Sequence, residues 1–207
     1  AAALYLTGSG TMTVSGCTFS GNTSVGNGGA VLISQASGTA RVADCVFEDN
    51  LSQSSGGSIY VNEAGVTAIV RCTMRGGFAT YGSAMFINGS SSALDLVNCV
   101  IDDNTAGVSG GIYLAGSSPR VTNCLFTNSK ASSVGGSVFA TSNSDPTFSN
   151  CTFAQGRAFN GACSFAFDSL SKPLYRNCVV WNNTNTNGVD VFGGPGGANL
   201  SNCLVEG

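Results

Sequence analysis

Nine cysteines and no histidine set the chemical terms of this 207-residue chain. The commonest general base and the commonest metal ligand are therefore missing. An odd number of thiols cannot pair completely within one chain. Zinc held by cysteine alone needs close pairs such as C-x-x-C, and the nearest two here are Cys151 and Cys163. No structural zinc site is expected, and no other cofactor.

The thiols are instead periodic. Cys17, Cys45, Cys72, Cys99, Cys124, Cys151, Cys178 and Cys203 follow one another at intervals of 28, 27, 27, 25, 27, 27 and 25 residues. Stacked at the separation of neighbouring strands, such thiols sit wider apart than the Cβ spacing of about 3.8 Å that a disulfide needs. They read as a core ladder of small buried hydrophobes. Cys163 alone stands off the series. It falls in a glycine-rich column and is expected to be the accessible thiol.

Carboxylates are the other groups that could do chemistry. Glu48, Arg75 and Asp102 occupy one position in successive repeats, and Asp49 and Asp103 follow Glu48 and Asp102. Glycoside hydrolysis needs convergent carboxylates. Lyase chemistry needs a base, with carboxylates for Ca²⁺. Alternating signs in one column describe a surface charge ladder better than either, and no catalytic residue is assigned.

The repeat also defines the elements that carry these groups. Three residues before each ladder cysteine stand Val14, Val42, Ile69, Leu96, Val121, Phe148, Tyr175 and Leu200. Two residues after it stand Phe19, Phe47, Met74, Ile101, Phe126, Phe153, Val180 and Val205. Immediately before it, five of the eight repeats carry asparagine: Asn98, Asn123, Asn150, Asn177 and Asn202. Strict alternation would put the first apolar residue and the cysteine on opposite faces. One left-handed residue between them resets the face, and asparagine tolerates that conformation best after glycine. Each repeat thus reads as strand, asparagine bend, strand. A third strand follows a glycine pair in "GGAVLI" (28–33), "GGSIYV" (56–61) and "GGSVFA" (135–140). Its inward residues are expected to be Leu4/Leu6, Val31/Ile33, Ile59/Val61, Met85/Ile87, Ile112/Leu114, Val138/Ala140, Phe165/Phe167 and Val189/Val191.

Three short strands per period without helical periodicity predict an all-β fold. It is a parallel β-helix of about eight coils, with 25–28 residues per coil. Right-handed crossovers are the rule for parallel strands, so a right-handed helix is expected. Residues 1–207 form one domain. A leucine-rich solenoid is disfavoured because its leucine-asparagine signature and its helical stretch are absent. The chain reads as beginning and ending mid-coil, as a segment of something longer or a subunit that stacks end to end.

Composition narrows the partners. Charged residues make up 9% and the net charge is −3, with no run of like charges, so no nucleic-acid footprint is expected. No apolar run approaches a membrane span.

The motifs "FSGN" (19–22), "FEDN" (47–50), "GGAV" and "GGSI" resemble the F-x-x-N and G-G-A-[ILV] repeats of the chlamydial polymorphic membrane proteins. The likeness is best over residues 11–140; "FAQG" (153–156) and "GACS" (161–164) depart from both motifs. What the resemblance implies is a β-helical passenger of an autotransported surface adhesin, extracellular or on the cell surface.

With the inward columns filling a core, function belongs on outward positions. One candidate interface stripe is Tyr5, Leu32, Tyr60, Phe86, Tyr113 and Phe139, with Ala166 and Asp190 completing the column. Mutual stacking along the rungs accounts for it without a partner. A continuous apolar stripe otherwise marks a contact surface. Its partner would be another copy, a host or cell-surface protein, or a glycan. Threonine alternates with Val and Leu after the cysteines, so a regular ice-binding array is not expected. Asn22, Asn50, Asn88, Asn182 and Asn199 are possible glycosylation sites, whereas the Asn150 sequon lies at a bend expected to be blocked. The combined expectation is a structural or adhesive rod without catalysis of its own. The alternative is a polysaccharide-binding or polysaccharide-degrading β-helix whose active residues lie elsewhere.

Overall fold

The computed structural model describes residues 2–36, 38–89, 94–187 and 191–206. Val189 and Asp190 lie outside the described residues. Among these residues the chain is all β, with strands in four parallel sheets, three of eight strands and one of seven. Within each sheet every strand pairs with its equivalents one coil before and one coil after. The result is a β-solenoid with eight rungs.

One coil shows the path. Val31–Ala36 belongs to the first sheet, Thr39–Ala43 to the second, Val46–Glu48 to the third and Leu51–Ser52 to the fourth. Ile59–Asn62 then re-enters the first sheet directly above Val31–Ala36. The first three sheets follow the three expected strands. The fourth is an addition: its strands run only two to four residues, as in Thr23–Ser24 and Phe78–Tyr81. So few residues, rich in Ser and Thr, carry no readable alternation.

Left-handed residues turn the chain between sheets. Between the second and third sheets the bend residue is Gly16, Asp44, Arg71, Asn98, Asn123, Asn150, Asn177 or Asn202, with φ between 52° and 63°. A second bend, between the third and fourth sheets, uses Gly21, Asp49, Gly76, Asp103, Asn128, Gln155 and Asn182. The third is the glycine pair. Gly56 has φ 68°, and a Cβ on Gly57 would lie 2.5 Å from the Ser83 carbonyl oxygen of the next coil. The first glycine supplies conformation and the second supplies clearance, which is why the pair recurs.

Asn50 of the F-x-x-N motif, and Asn104 and Asn183 at the equivalent positions after Ile101 and Val180, have an inward role. Asn104 accepts a hydrogen bond from the Gly77 N–H at 3.0 Å and donates to the Met74 carbonyl at 2.9 Å, both one coil earlier. Asn50 does the same for Asn22 and Phe19, and Asn183 for Gly156 and Phe153. Each one fastens the bend below it in place of a missing ladder bond.

Apolar side chains fill the lumen between these corners. Phe47, Met74, Ile101, Phe126 and Phe153 form one fully buried column; Val42, Ile69, Leu96, Phe148 and Tyr175 belong to another. Rings stack along the axis, with Phe126 and Phe153 centroids 4.6 Å apart and Phe148 and Tyr175 4.8 Å apart. Burial of such side chains is the main stabilising term, about 1.5–3 kcal/mol each.

The seventh coil corrects the expected alternation. Val138, Phe139 and Ala140 pair with Ser164, Phe165 and Ala166. Ala166 therefore points inward and is 1% exposed, while Phe165 joins the outward stripe and Phe167 is 60% exposed. The glycine-pair bend of this coil is Gly161-Ala162, so the strand starts one residue earlier than "GACS" led the alignment to place it, and a one-residue slip reverses every face. The same slip puts Cys163 in the inward column after the glycine pair, where it is fully buried, not accessible.

Replacing Asn104 by Ala leaves two buried backbone groups unpaired. It should lower unfolding stability by about 2–4 kcal/mol, against about 1–2 kcal/mol for Asn123→Ala at an exposed left-handed bend. Urea unfolding of both variants, followed by circular dichroism, checks the ranking; equal losses would sink the fastening role of Asn104.

Candidate functional site

The cysteine column lies in the wall just inside the second-to-third-sheet bend. Cys45, Cys72, Cys99, Cys124, Cys151 and Cys178 are 1–3% exposed, whereas Cys17 is exposed and Cys203 half-buried. All nine thiols are free. Each ladder thiol donates to the carbonyl two residues behind it, for example Cys99 to Val97 at 3.4 Å and Cys124 to Thr122 at 3.3 Å. Most also point at an inward-column carbonyl of the coil below, as Cys99 does to Ile69 at 3.6 Å. The sulfur accepts in turn: the Cys72 N–H donates to Cys99 Sγ at 3.4 Å. Burial pushes the Cys163 thiol well above its ordinary value, and burial also raises Cys45.

The aromatic stripe lies on the outer face of the first sheet, and its rings face one another. Tyr60, Phe86 and Tyr113 stack at centroid distances of 5.2 and 4.6 Å, and Tyr113 meets Phe139 at 4.6 Å. Tyr60 is 9% exposed and Phe139 5% exposed; Leu32, Phe86 and Tyr113 are half-buried, and only Tyr5 is largely open. Burial raises the phenol pKa of both Tyr60 and Tyr113. The outward surface therefore consists of ring edges. Two residues along the same strands runs a polar row: Asn88 Nδ2 donates to Asn62 Oδ1 at 2.7 Å, and Asn62 Nδ2 to Ser34 Oγ at 3.4 Å. This amide row escaped notice in the sequence, although its 26- and 28-residue spacing was legible.

The charged column resolves into pairs. Arg75 bonds Glu48 one coil below. Asp102, above Arg75 in register, instead accepts from Thr127 Oγ1 at 2.7 Å and Asn128 Nδ2 at 2.9 Å. Arg71 grips Asp44 with two bonds of 2.6 and 2.8 Å, and this holds the Asp44 carboxyl below its usual range. Arg120 pairs Asp95 and Lys130 pairs Asp103, each at 2.8 Å. Among the described residues no three His, Cys, Asp or Glu side chains converge on a point.

One loop stack was missed altogether. Ser117-Ser118-Pro119, Ser144-Asp145-Pro146 and Ser171-Lys172-Pro173 recur at 27 residues between the first and second sheets. The Ser117 N–H donates to Ser144 Oγ at 3.0 Å and the Ser144 N–H to Ser171 Oγ at 3.1 Å. Ser171 Oγ ends the chain on Asp168. Burial works against the Asp168 carboxylate, yet the N–H groups of Ser142, Ser171 and Leu170 and the Ser171 hydroxyl outweigh it and lower its pKa. This carboxylate is a loop anchor, not a free acid.

The sequons separate by burial. Asn50 is 1% exposed and its amide is consumed by Asn22 and Phe19, so it is corrected to a structural position. Asn150 is exposed rather than blocked, because the bend side chains point outward. Asn182 and Asn199 are exposed, and Asn22 and Asn88 half-buried.

A family-model match decides the family. The family model for the right-handed β-helix region covers residues 2–205. The chain belongs to this right-handed β-helix family. No curated protein and no solved structure matches it. Family membership fixes the hand of the solenoid and leaves its activity open, because β-helices include enzymes and non-enzymes. No helix among the described residues is long and apolar enough to cross a membrane.

A thiol-reactive dye tests the wall. In this β-helix Cys17 should label first and Cys203 more slowly. The seven thiols that are buried, Cys163 among them, should label only on unfolding. Peptide mapping of the labelled native chain reads the order, and early labelling of Cys163 would contradict its placement.

Proposed function

We propose that this β-helix is an extracellular or cell-surface rod with a structural or adhesive role and no catalysis of its own. The observation that carries this reading is that four outward acids are paired with bases one coil away. Asp44, Glu48, Asp95 and Asp103 each meet a cation, and Asp168 anchors a loop. Hydrolysis needs two carboxyl groups about 5–10 Å apart facing one substrate, with one kept protonated. Lyase chemistry needs a base free to take a proton. Neither arrangement is supported by groups spent on their neighbours one rung away.

Two further features favour a rod. The coils differ by at most three residues, from 25 to 28, which leaves little chain for cleft-forming loops. The ladder thiols from Cys45 to Cys178 are packed in the wall, which shields them from oxidation in an oxidising compartment. Contacts with a partner would use the ring edges and the Ser34–Asn62–Asn88 row, which together form an uncharged face. That row is the feature favouring a glycan as partner, because amides orient sugar hydroxyls.

The test is a digestion assay run beside a binding assay. Purified chain is incubated with polygalacturonate, alginate and neutral glucans, and reducing ends and unsaturated products are followed. No turnover is expected. Turnover that disappears in Arg75→Ala or Asp102→Ala would overturn the proposal and restore the polysaccharide-degrading reading. Negative-stain microscopy of the same preparation separates self-associating rods from dispersed ones.

A further inference from the structure

The thiol column is the largest set of metal-ligating side chains in the molecule, and the proposed function leaves it unused. Its geometry is regular. Thr73 stands in register with Val46 below and Val100 above, so Cys45, Cys72 and Cys99, one residue earlier in each coil, stack along the rod axis. Cys99 Sγ lies 3.4 Å from Cys72 N, and Cys124 Sγ 3.4 Å from Cys99 N. Successive sulfurs are thus offset by one rung, about 4.8 Å.

No three ligating side chains converge among the described residues, so a tetrahedral or octahedral ion finds no cage. A linear ion needs only two ligands. Two metal–sulfur bonds, each of about the 2.3 Å seen for zinc thiolates, laid end to end span about 4.6 Å. That length fits one rung. Thiolate sulfur also selects soft cations such as copper(I).

The geometry points to binding sites for soft monovalent cations of the copper(I) and silver(I) class between neighbouring sulfurs of the column from Cys17 to Cys203. A sulfur already bonded to Cβ cannot hold two cations in line along the axis, so each sulfur serves one cation and the eight sulfurs pair off to hold four. Every cation that binds displaces one thiol proton to solvent, and no electron is transferred. Each site then joins one thiolate and one thiol through the cation and is uncharged. Neutrality matters in an apolar wall, where an isolated charge is costly.

The surrounding backbone tolerates the loss of the thiol protons. The carbonyls two residues behind Cys72, Cys99 and Cys124 already accept a main-chain N–H. Val70 O accepts from Asp44, Val97 O from Arg71, and Thr122 O from Asn98, at 2.9–3.0 Å. Removing those thiol hydrogens leaves these three carbonyls paired. The column also lies one residue from the surface, since exposed Asn98 immediately precedes Cys99.

The experiment is a titration of the fully reduced chain with silver nitrate, in chloride-free buffer under inert gas. Native mass spectrometry counts ions, X-ray absorption counts sulfurs per ion, and circular dichroism follows the fold. Uptake of four ions, each with two sulfurs and with the β signal intact, is expected. Cys99→Ala leaves three sulfurs below the gap and four above it and should lower uptake to three; Cys163→Ala, off the column, should leave it at four. Uptake of one or two ions that is lost in the Cys17→Ala/Cys203→Ala double variant would overturn the proposal. So would uptake only as the β signal disappears. Stoichiometry and sulfur count are read on the unaltered chain, so the test stands where a variant fails to fold.

Discussion

The structure depends on one constraint: each coil must present its backbone donors and acceptors to the next coil in the same register. A parallel ladder offers no alternative partner inside the stack, and an unpaired group in the wall costs about 1–3 kcal/mol. Every coil therefore repeats the path of the one below. Once the path repeats, each position becomes a column of like environment. The Gly29, Gly57 and Gly136 positions show how tight this is. A Cβ there would come within 2.0–2.5 Å of a backbone oxygen in the next coil. A single coil cannot widen at that corner without breaking two ladders.

Columns explain why cysteine recurs beside the bend. The left-handed residue turns the chain and brings two sets of carbonyls close to the next side chain. Cysteine is small enough to face inward there, apolar enough to line the lumen and still a weak donor. A serine oxygen on the same Cβ would be a stronger hydrogen-bonding group in a less polar place, and a valine would lose the bond to the Ile69 or Leu96 carbonyl. The outward neighbour has other demands. It must adopt φ near 55°, and Asn, Asp, Gly and Arg all do so here. Position before cysteine is thus conformational, and position at cysteine is about packing.

How much of this was legible follows from the same logic. The cysteine, pre-cysteine and post-cysteine columns were legible because one element, the bend with its two flanking strands, keeps a fixed internal spacing in all eight coils. The bend conformation was legible because asparagine dominates it. The fourth sheet was not, since strands such as Lys130–Ala131 and Arg157–Ala158 are too short to alternate. The register of the seventh coil failed because Gly161-Ala162 replaces the glycine pair, and a face assignment inherits any one-residue error in full. Of Asn50, Asn104 and Asn183, only Asn50 was visible within a quoted motif, while the other two follow Ile101 and Val180 instead of phenylalanine; whether such a side chain fastens the coil below or faces solvent depends on the bend that precedes it. Sequence spacing does not encode that bend when the residue is Asp49 or Asp103.

The same stacking that builds the core also disarms the surface. An outward acid in one coil stands about 4.8 Å from the equivalent side chain of the next, so a base placed there pairs with it before any ligand arrives. Exposed pairs of this kind add little stability, typically below about 1 kcal/mol. Their larger consequence is functional. Glu48 and Asp44 are held by Arg75 and Arg71, and Asp103 by Lys130. Aromatic rings are treated alike: from Tyr60 to Phe139 the stripe rings offer their faces to one another and their edges to solvent. A site on such a rod arises where stacking is interrupted, or where a column's atoms are spaced to be bridged. The sulfur column joins that common repeat to a soft ligand, and the repeat is close to the span of a two-ligand bridge. Its chemistry is set by the rung height itself, and no substitution on the outer faces alters that height.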